Sequence, residues 1–101
     1  MLKLKPGVAV AGIRPEMMLA VIAAERAFSS ADCIITSALD GRHSLTSLHY
    51  AGQAIDLRTR HVSKATAETV VAVLKEALTI DYDVILESTH IHVEFQPKRR
   101  D

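Results

Sequence analysis

Apolar positions recur at a helical interval soon after the start of the chain. Met18, Val21, Ile22 and Phe28, with Glu25 among them, fall on one side of a helical wheel. Pro15 suits a first helical turn, because the N–H that it lacks would have no partner there. The spacing predicts a helix near residues 15–29. Cys33 to Ser37 is short, apolar and β-rich, and reads as a buried strand. Residues 38–48 are rich in Asp, Gly, His, Ser and Thr and read as a loop. Ala54 to Leu57 reads as a short strand.

A second helix follows, capped by Ser63 or Thr66. Val70, Val71, Leu74, Ala77 and Leu78 form its apolar face. Val84-Ile85-Leu86 reads as one more strand, and His90 to Phe95 as the last. In that last strand His90, His92 and Glu94 alternate with Ile91, Val93 and Phe95, so one face belongs to a core. The charged stretch 96–101 reads as a frayed tail. The order helix, strand, loop, strand, helix, strand, strand predicts an α+β domain over residues 1–101, with its helices on one side of a small antiparallel sheet.

Composition narrows the function classes. The chain has 101 residues, about half hydrophobic, enough for one small core. Twelve basic residues balance twelve acidic ones, which argues against a nucleic-acid partner. No stretch approaches the roughly 20 apolar residues of a membrane span. Lys3 and Lys5 followed by Val8 to Ala11 faintly suggest a leader, but Arg14 and Glu16 interrupt it, so no export signal is expected. Cys33 is the lone cysteine and reads as a small buried hydrophobe. Five histidines are many for this length and point to metal or acid–base chemistry.

Two segments carry that chemistry. In Ser47-Leu48-His49-Tyr50-Ala51-Gly52-Gln53-Ala54-Ile55-Asp56, His49 and Asp56 are ligand types that zinc accepts. Gly52 permits a turn between them, and Ala54 permits close backbone approach. In Glu87-Ser88-Thr89-His90-Ile91-His92, the two histidines project to one face of a strand. A catalytic zinc takes three protein ligands and keeps a position for water. His49, Asp56 and one of His90 and His92 supply three, and Glu87 could accept the water's proton. His43 and His61, and the Arg58–Arg60 pair, read as solvated surface.

Ser47-x-His49-x-x-Gly52-x-Ala54-x-Asp56, followed by Glu87 and His90-x-His92, resembles the zinc D-alanyl-D-alanine carboxypeptidase family. The first segment also resembles the Hedgehog signalling domain, which shares that zinc-site fold. The resemblance implies a Hedgehog/DD-peptidase-like fold with one zinc ion on His49, Asp56 and a third ligand. The His-x-His register selects His92 as that ligand and leaves His90 to hydrogen-bond the oxyanion or the substrate. The Glu-x-x-His register selects His90 instead, with Glu87 as base; this chain satisfies both, and His92 is the preferred assignment. Arg42 and Ser47 fall on the substrate side, with Arg42 the nearest candidate to hold a substrate carboxylate.

The implied activity is hydrolysis of peptidoglycan peptides by a zinc metallopeptidase, as a carboxypeptidase or an endopeptidase of the endolysin type. A bacteriophage origin would suit a compact cell-wall hydrolase with no export signal of its own. The chain departs from the family in being short and in having two Phe, two Tyr and no Trp to wall a cleft. The alternative expectation is a zinc-containing binding or structural module of the Hedgehog-like fold that does not cut its ligand. A positioned Glu87 is the feature that favours an enzyme.

Overall fold

Among the described residues seventeen apolar side chains are buried, nearly all of them in one cluster, and the periodicity of the strands and helices determines which they are. The computed structural model describes residues 1–38 and 53–97. In chain order these form β1 (Leu2–Leu4), α1 (Pro15–Phe28), β2 (Cys33–Ser37), β3 (Ala54–Arg58), α2 (Lys64–Ala77), β4 (Tyr82–Leu86) and β5 (His90–Phe95). The strands lie side by side as β1-β2-β3-β5-β4. Both helices contribute to the cluster that also holds Cys33, Ile35, Ile55, Leu57, Val84, Ile91 and Val93, so they cover one face of the sheet.

The expected antiparallel sheet is mixed. β2, β3, β5 and β4 pair antiparallel in that order, but β1 runs parallel to β2, with Leu2 beside Cys33 and Leu4 beside Ile35. A parallel neighbour requires a crossover, and α1 provides it. The strand escapes sequence reading because it has three residues, all exposed, with Lys3 in the middle. It is held by backbone pairing and by the Lys3–Asp32 ion pair at 2.9 Å. Gly7 and Gly12, both at positive φ, carry the chain from β1 towards α1.

The inward face of α1 differs from expectation by one position. Met17, Ala20, Val21, Ala24 and Phe28 are buried, whereas Met18 and Ile22 are each half exposed. The buried set follows i, i+3, i+4, i+7 and i+11. Ala20 and Ala24 are both fully buried, and residues this small allow a helix to lie close against its neighbours. In α2 the expected face holds at Val70 and Leu74, with Ala67 added and Ala77 exposed. Ser63 is the cap: its hydroxyl accepts the Thr66 N–H at 3.1 Å.

The Tyr82 hydroxyl donates to the Glu16 carbonyl at 2.7 Å and joins β4 to α1. Cys33 is buried as expected, and burial pushes its thiol pKa up to about 12. The tail expected to fray from residue 96 is held at its first residue, where the Gln96 N–H donates to the Asp81 carbonyl at 2.7 Å. Most of the expected loop, with Arg42 and Ser47, lies outside the described residues, as does His49 after it.

The two adjacent methionines give a direct test of the helix face. Met17→Ala should lower unfolding free energy by about 2–5 kcal/mol through the cavity it leaves. Met18→Ala should stay within about 0.5 kcal/mol of wild type. Urea denaturation measures both, and equal losses would mean that the inward face is wrong.

Candidate functional site

The face of the sheet opposite the helices carries the ionisable groups. In the antiparallel pairing of β3 and β5, Ile55 stands beside Val93 and Leu57 beside Ile91, all four fully buried. The alternate positions therefore point away from the core: Asp56 is opposite His92, Arg58 opposite His90, and Ala54 opposite Glu94. Directly opposed side chains on one face have Cβ atoms about 4.5–5.5 Å apart, close enough for short polar side chains to meet.

They do meet. His92 Nδ1 lies 2.8 Å from Asp56 Oδ1, and His92 Nε2 lies 2.9 Å from Glu94 Oε1. His90 Nε2 is 3.7 Å from the same Asp56 oxygen. The His90 Nδ1 is 3.1 Å from the Thr89 hydroxyl, so the outer side of that ring is also engaged. The Asp56, His92 and Glu94 side chains are only 15%, 19% and 17% exposed. A register shift between β2 and β3 sets Ser37 opposite Asp56, and the Thr36 hydroxyl donates to the Asp56 carbonyl at 3.5 Å. Such irregularities re-aim side chains.

The hydrogen bond that the His92 imidazolium donates to Asp56 pushes its pKa upward; partial burial opposes this, while the charge of Asp56 and the contact with Glu94 add to it. A raised folded-state value favours folding below the ordinary imidazole pKa. That contribution is lost as pH rises through the folded-state value.

A depression of about 500 Å³ opens beside these groups. It is lined by Lys5, Thr36, Asp56, Arg58, Arg60, His61, Thr89 and His90, and its size lies in the range of small-ligand sites. Arg58 and Arg60, read from the sequence as a solvated face, thus border the space that Asp56 and His90 border. His61, read as solvated, is bonded to the Asp32 carbonyl at 2.6 Å and stacks on Phe28 with ring centroids 5.9 Å apart.

Of the expected site residues, the structure brings Asp56, His90 and His92 together. It does not bring Glu87 into the same space. The Glu87 N–H donates to the His90 carbonyl at 2.8 Å across the β4–β5 turn, but Glu87 lines a separate depression with Ser63, Lys64 and Ser88. Glu94 is not among the expected site residues, although the i, i+2 rule sets it on the face of His92.

The donor chemistry suits a divalent metal. A carboxylate and two imidazoles are borderline and hard donors of the kind zinc takes, and zinc with bonds of about 2.0–2.1 Å holds its donors roughly 3.3 Å apart. The Asp56–His92 and Asp56–His90 separations, 2.8 and 3.7 Å, bracket that figure. Among the described residues no three such groups converge on one point. A complete set would draw on a further donor, and the expected one, His49, lies outside the described residues.

No family model matches the chain, and no curated protein matches it.

The linkage has a measurable consequence in protein freed of metal by chelation. Asp56→Asn removes the partner of the His92 imidazolium, so its melting temperature should fall furthest below wild type at about pH 5.5. The gap should narrow as pH rises through the raised folded-state pKa and the imidazole loses its charge. A gap that widens with pH would contradict the assigned pairing.

Proposed function

We propose that the chain is a zinc-dependent peptidase acting on peptidoglycan peptides, with a Hedgehog/DD-peptidase-like fold. The observation that carries this reading is the Asp56–His92 contact at 2.8 Å, backed by Glu94 and opening on a depression of about 500 Å³. Asp56 and His92 are the described residues that would hold the metal, and His49 completes the set expected from the sequence. Zinc, when bound there, supplies a water acidic enough to ionise near neutral pH and a Lewis acid for a carbonyl oxygen.

The chain's own groups supply the rest. His90 borders the depression and has its Nε2 turned inward to Asp56, a position from which it can hydrogen-bond a substrate oxygen. Lys5, Arg58 and Arg60 line the same space and suit a substrate carboxylate. Glu87 is the base in this reading. It is exposed at the hairpin turn next to His90, and its side chain must swing from the Ser63–Lys64 side to reach the reacting water.

One observation favours a second reading. Glu87 lines a depression other than the one that Asp56 and His90 line. A domain that held zinc without a positioned base would bind its ligand and leave it intact.

Metal analysis tests the ligand set. Wild type should carry about one zinc per chain, since the ligand set leaves room for water. Asp56→Ala and His92→Ala should lose it, while His90→Ala should keep it. Zinc retained by both of the first two variants would overturn the site, and loss from His90→Ala alone would transfer the third ligand to His90.

Digestion of peptidoglycan fragments, read by mass spectrometry, tests the chemistry. Wild type should cut a peptide bond, and Glu87→Gln should keep its zinc while the rate falls by on the order of 100-fold or more. Equal rates would remove Glu87 from the mechanism. Zinc bound by a wild type that cuts nothing would leave the binding-module reading.

A further inference from the structure

We propose that Lys5, Arg58 and Arg60 form a site for two separate carboxylates, and that the peptide bound there ends in an acidic residue with its α-carboxylate free. The double-anion site stands on the described residues; that its ligand is a peptide rests on the proposed function.

The three side chains line one depression of about 500 Å³. Among the described residues the ion pairs fall on the N-terminus, Lys3, Arg14, His90 and His92, and none falls on these three cations. The chain does not lack acids, since twelve acidic residues match twelve basic ones. Asp56, the one acid among the described residues on the wall of this space, has Oδ1 at 2.8 Å from His92 and 3.7 Å from His90. Arg58 is partly buried, and a cation drawn out of water without a counter-charge is unfavourable. Arg58 and Arg60, two residues apart on the same wall, also repel each other. An anion from outside the chain relieves both costs.

The number and layout of the donors decide between one anionic group and two. A carboxylate offers about four acceptor sites on its two oxygens, and two guanidinium forks fill them. Lys5 is then left over, and it is set apart. Its N–H donates to the Ile35 carbonyl at 2.9 Å, which continues the β1–β2 pairing, and β2 separates β1 from β3. Two strand spacings put the backbone of Lys5 about 10 Å from that of Arg58, with Thr36 of β2 on the wall between them. A phosphate concentrates its charge at one centre. Donors spread across two strand spacings suit two carboxylates joined by a short carbon chain.

An acidic residue at a free peptide end is such a group. Arg58 stands opposite His90 in the β3–β5 register, next to the groups proposed to hold zinc. The α-carboxylate is one carbon from the amide nitrogen of the last peptide bond, so it takes the arginine pair. The side-chain carboxylate lies further from that bond and takes Lys5. In this arrangement the residue released is the acidic one, and the peptidase is a carboxypeptidase.

Titrations followed by protein NMR, on the full chain stripped of zinc by chelation, test the site apart from the metal. The probes are N-acetylglutamate, N-acetylglutamine and N-acetylglutamine amide, each in both enantiomers, and inorganic phosphate. N-acetylglutamate should bind most tightly, N-acetylglutamine about 5-fold more weakly, and the amide not at all. Lys5→Met should weaken N-acetylglutamate about 5-fold and leave N-acetylglutamine unchanged. Arg58→Ala should weaken both about 10-fold. Equal binding of N-acetylglutamate and N-acetylglutamine by wild type would overturn the second carboxylate. Phosphate bound more tightly than N-acetylglutamate would overturn it too, in favour of a compact anion. If no probe binds, the anion site is wrong and the zinc site, measured separately, is untouched. A wild type that discriminates the probes as expected but takes up no zinc would keep the double-anion site and remove the peptidase reading. Should Arg58→Ala fail to fold, Lys5→Met, a change at an exposed side chain, and the wild-type series still decide the matter.

Discussion

The pairing of β3 with β5 is the constraint on which the rest depends. It sets Ile55 beside Val93 and Leu57 beside Ile91 under the helices. The same register sets Asp56 beside His92 on the other face. A slip of either strand by one residue would turn its two apolar side chains outward and its ionisable ones inward. Burying the two apolar side chains of the strand that would slip favours this register by roughly 3–6 kcal/mol, at about 1.5–3 kcal/mol for each. The site therefore needs no separate device to align its strands; the core aligns them.

That arrangement leaves a cost on the outer face. Asp56, His92 and Glu94 lie in a line, each side chain less than one-fifth exposed. Removing ionisable groups from water is unfavourable unless they are paired, and here one imidazole serves two carboxylates. Even with His92 charged, the three groups sum to one negative charge. The surroundings answer with cations, since Lys5, Arg58 and Arg60 border the adjoining space. An acidic line inside a basic rim can hold a metal cation at its centre and an anionic group of a ligand at its edge. The proposed peptidase reading uses both halves of that pattern.

Periodicity in the sequence was sufficient for the elements longer than four residues. It was insufficient where two neighbouring residues were equally apolar. Met17 and Met18 cannot be ranked by hydropathy, and the buried face of α1 is completed by Ala20 and Ala24, which a search for large apolar residues passes over. β1 was invisible because its three exposed residues have no pattern, and its parallel partner β2 lies some thirty positions away. For the site, alternation alone grouped His90, His92 and Glu94. Their distances to Asp56 depend on a pairing of residues 36 positions apart, which no local signal encodes. Glu94 is absent from the expected site because its partner is evident only when the ring of His92 has been placed.

β5 also divides the site by rigidity. His92 and Glu94 sit in the body of a strand with a neighbour on each side, β3 and β4. His90 begins the strand, and Glu87 to Thr89 form an exposed turn, fastened by the Glu87–His90 backbone bond and by the Thr59 N–H reaching the Thr89 carbonyl at 3.4 Å. Groups that hold a metal must keep their separation within a few tenths of an ångström, which a central strand can ensure. A group that carries a proton between a water and a leaving amine must move between partners, which a turn residue can do. In the proposed reading Asp56 and His92 have the first task and Glu87 the second. The fold distributes them accordingly, with the fixed groups mid-sheet and the adjustable one at the tip of the hairpin.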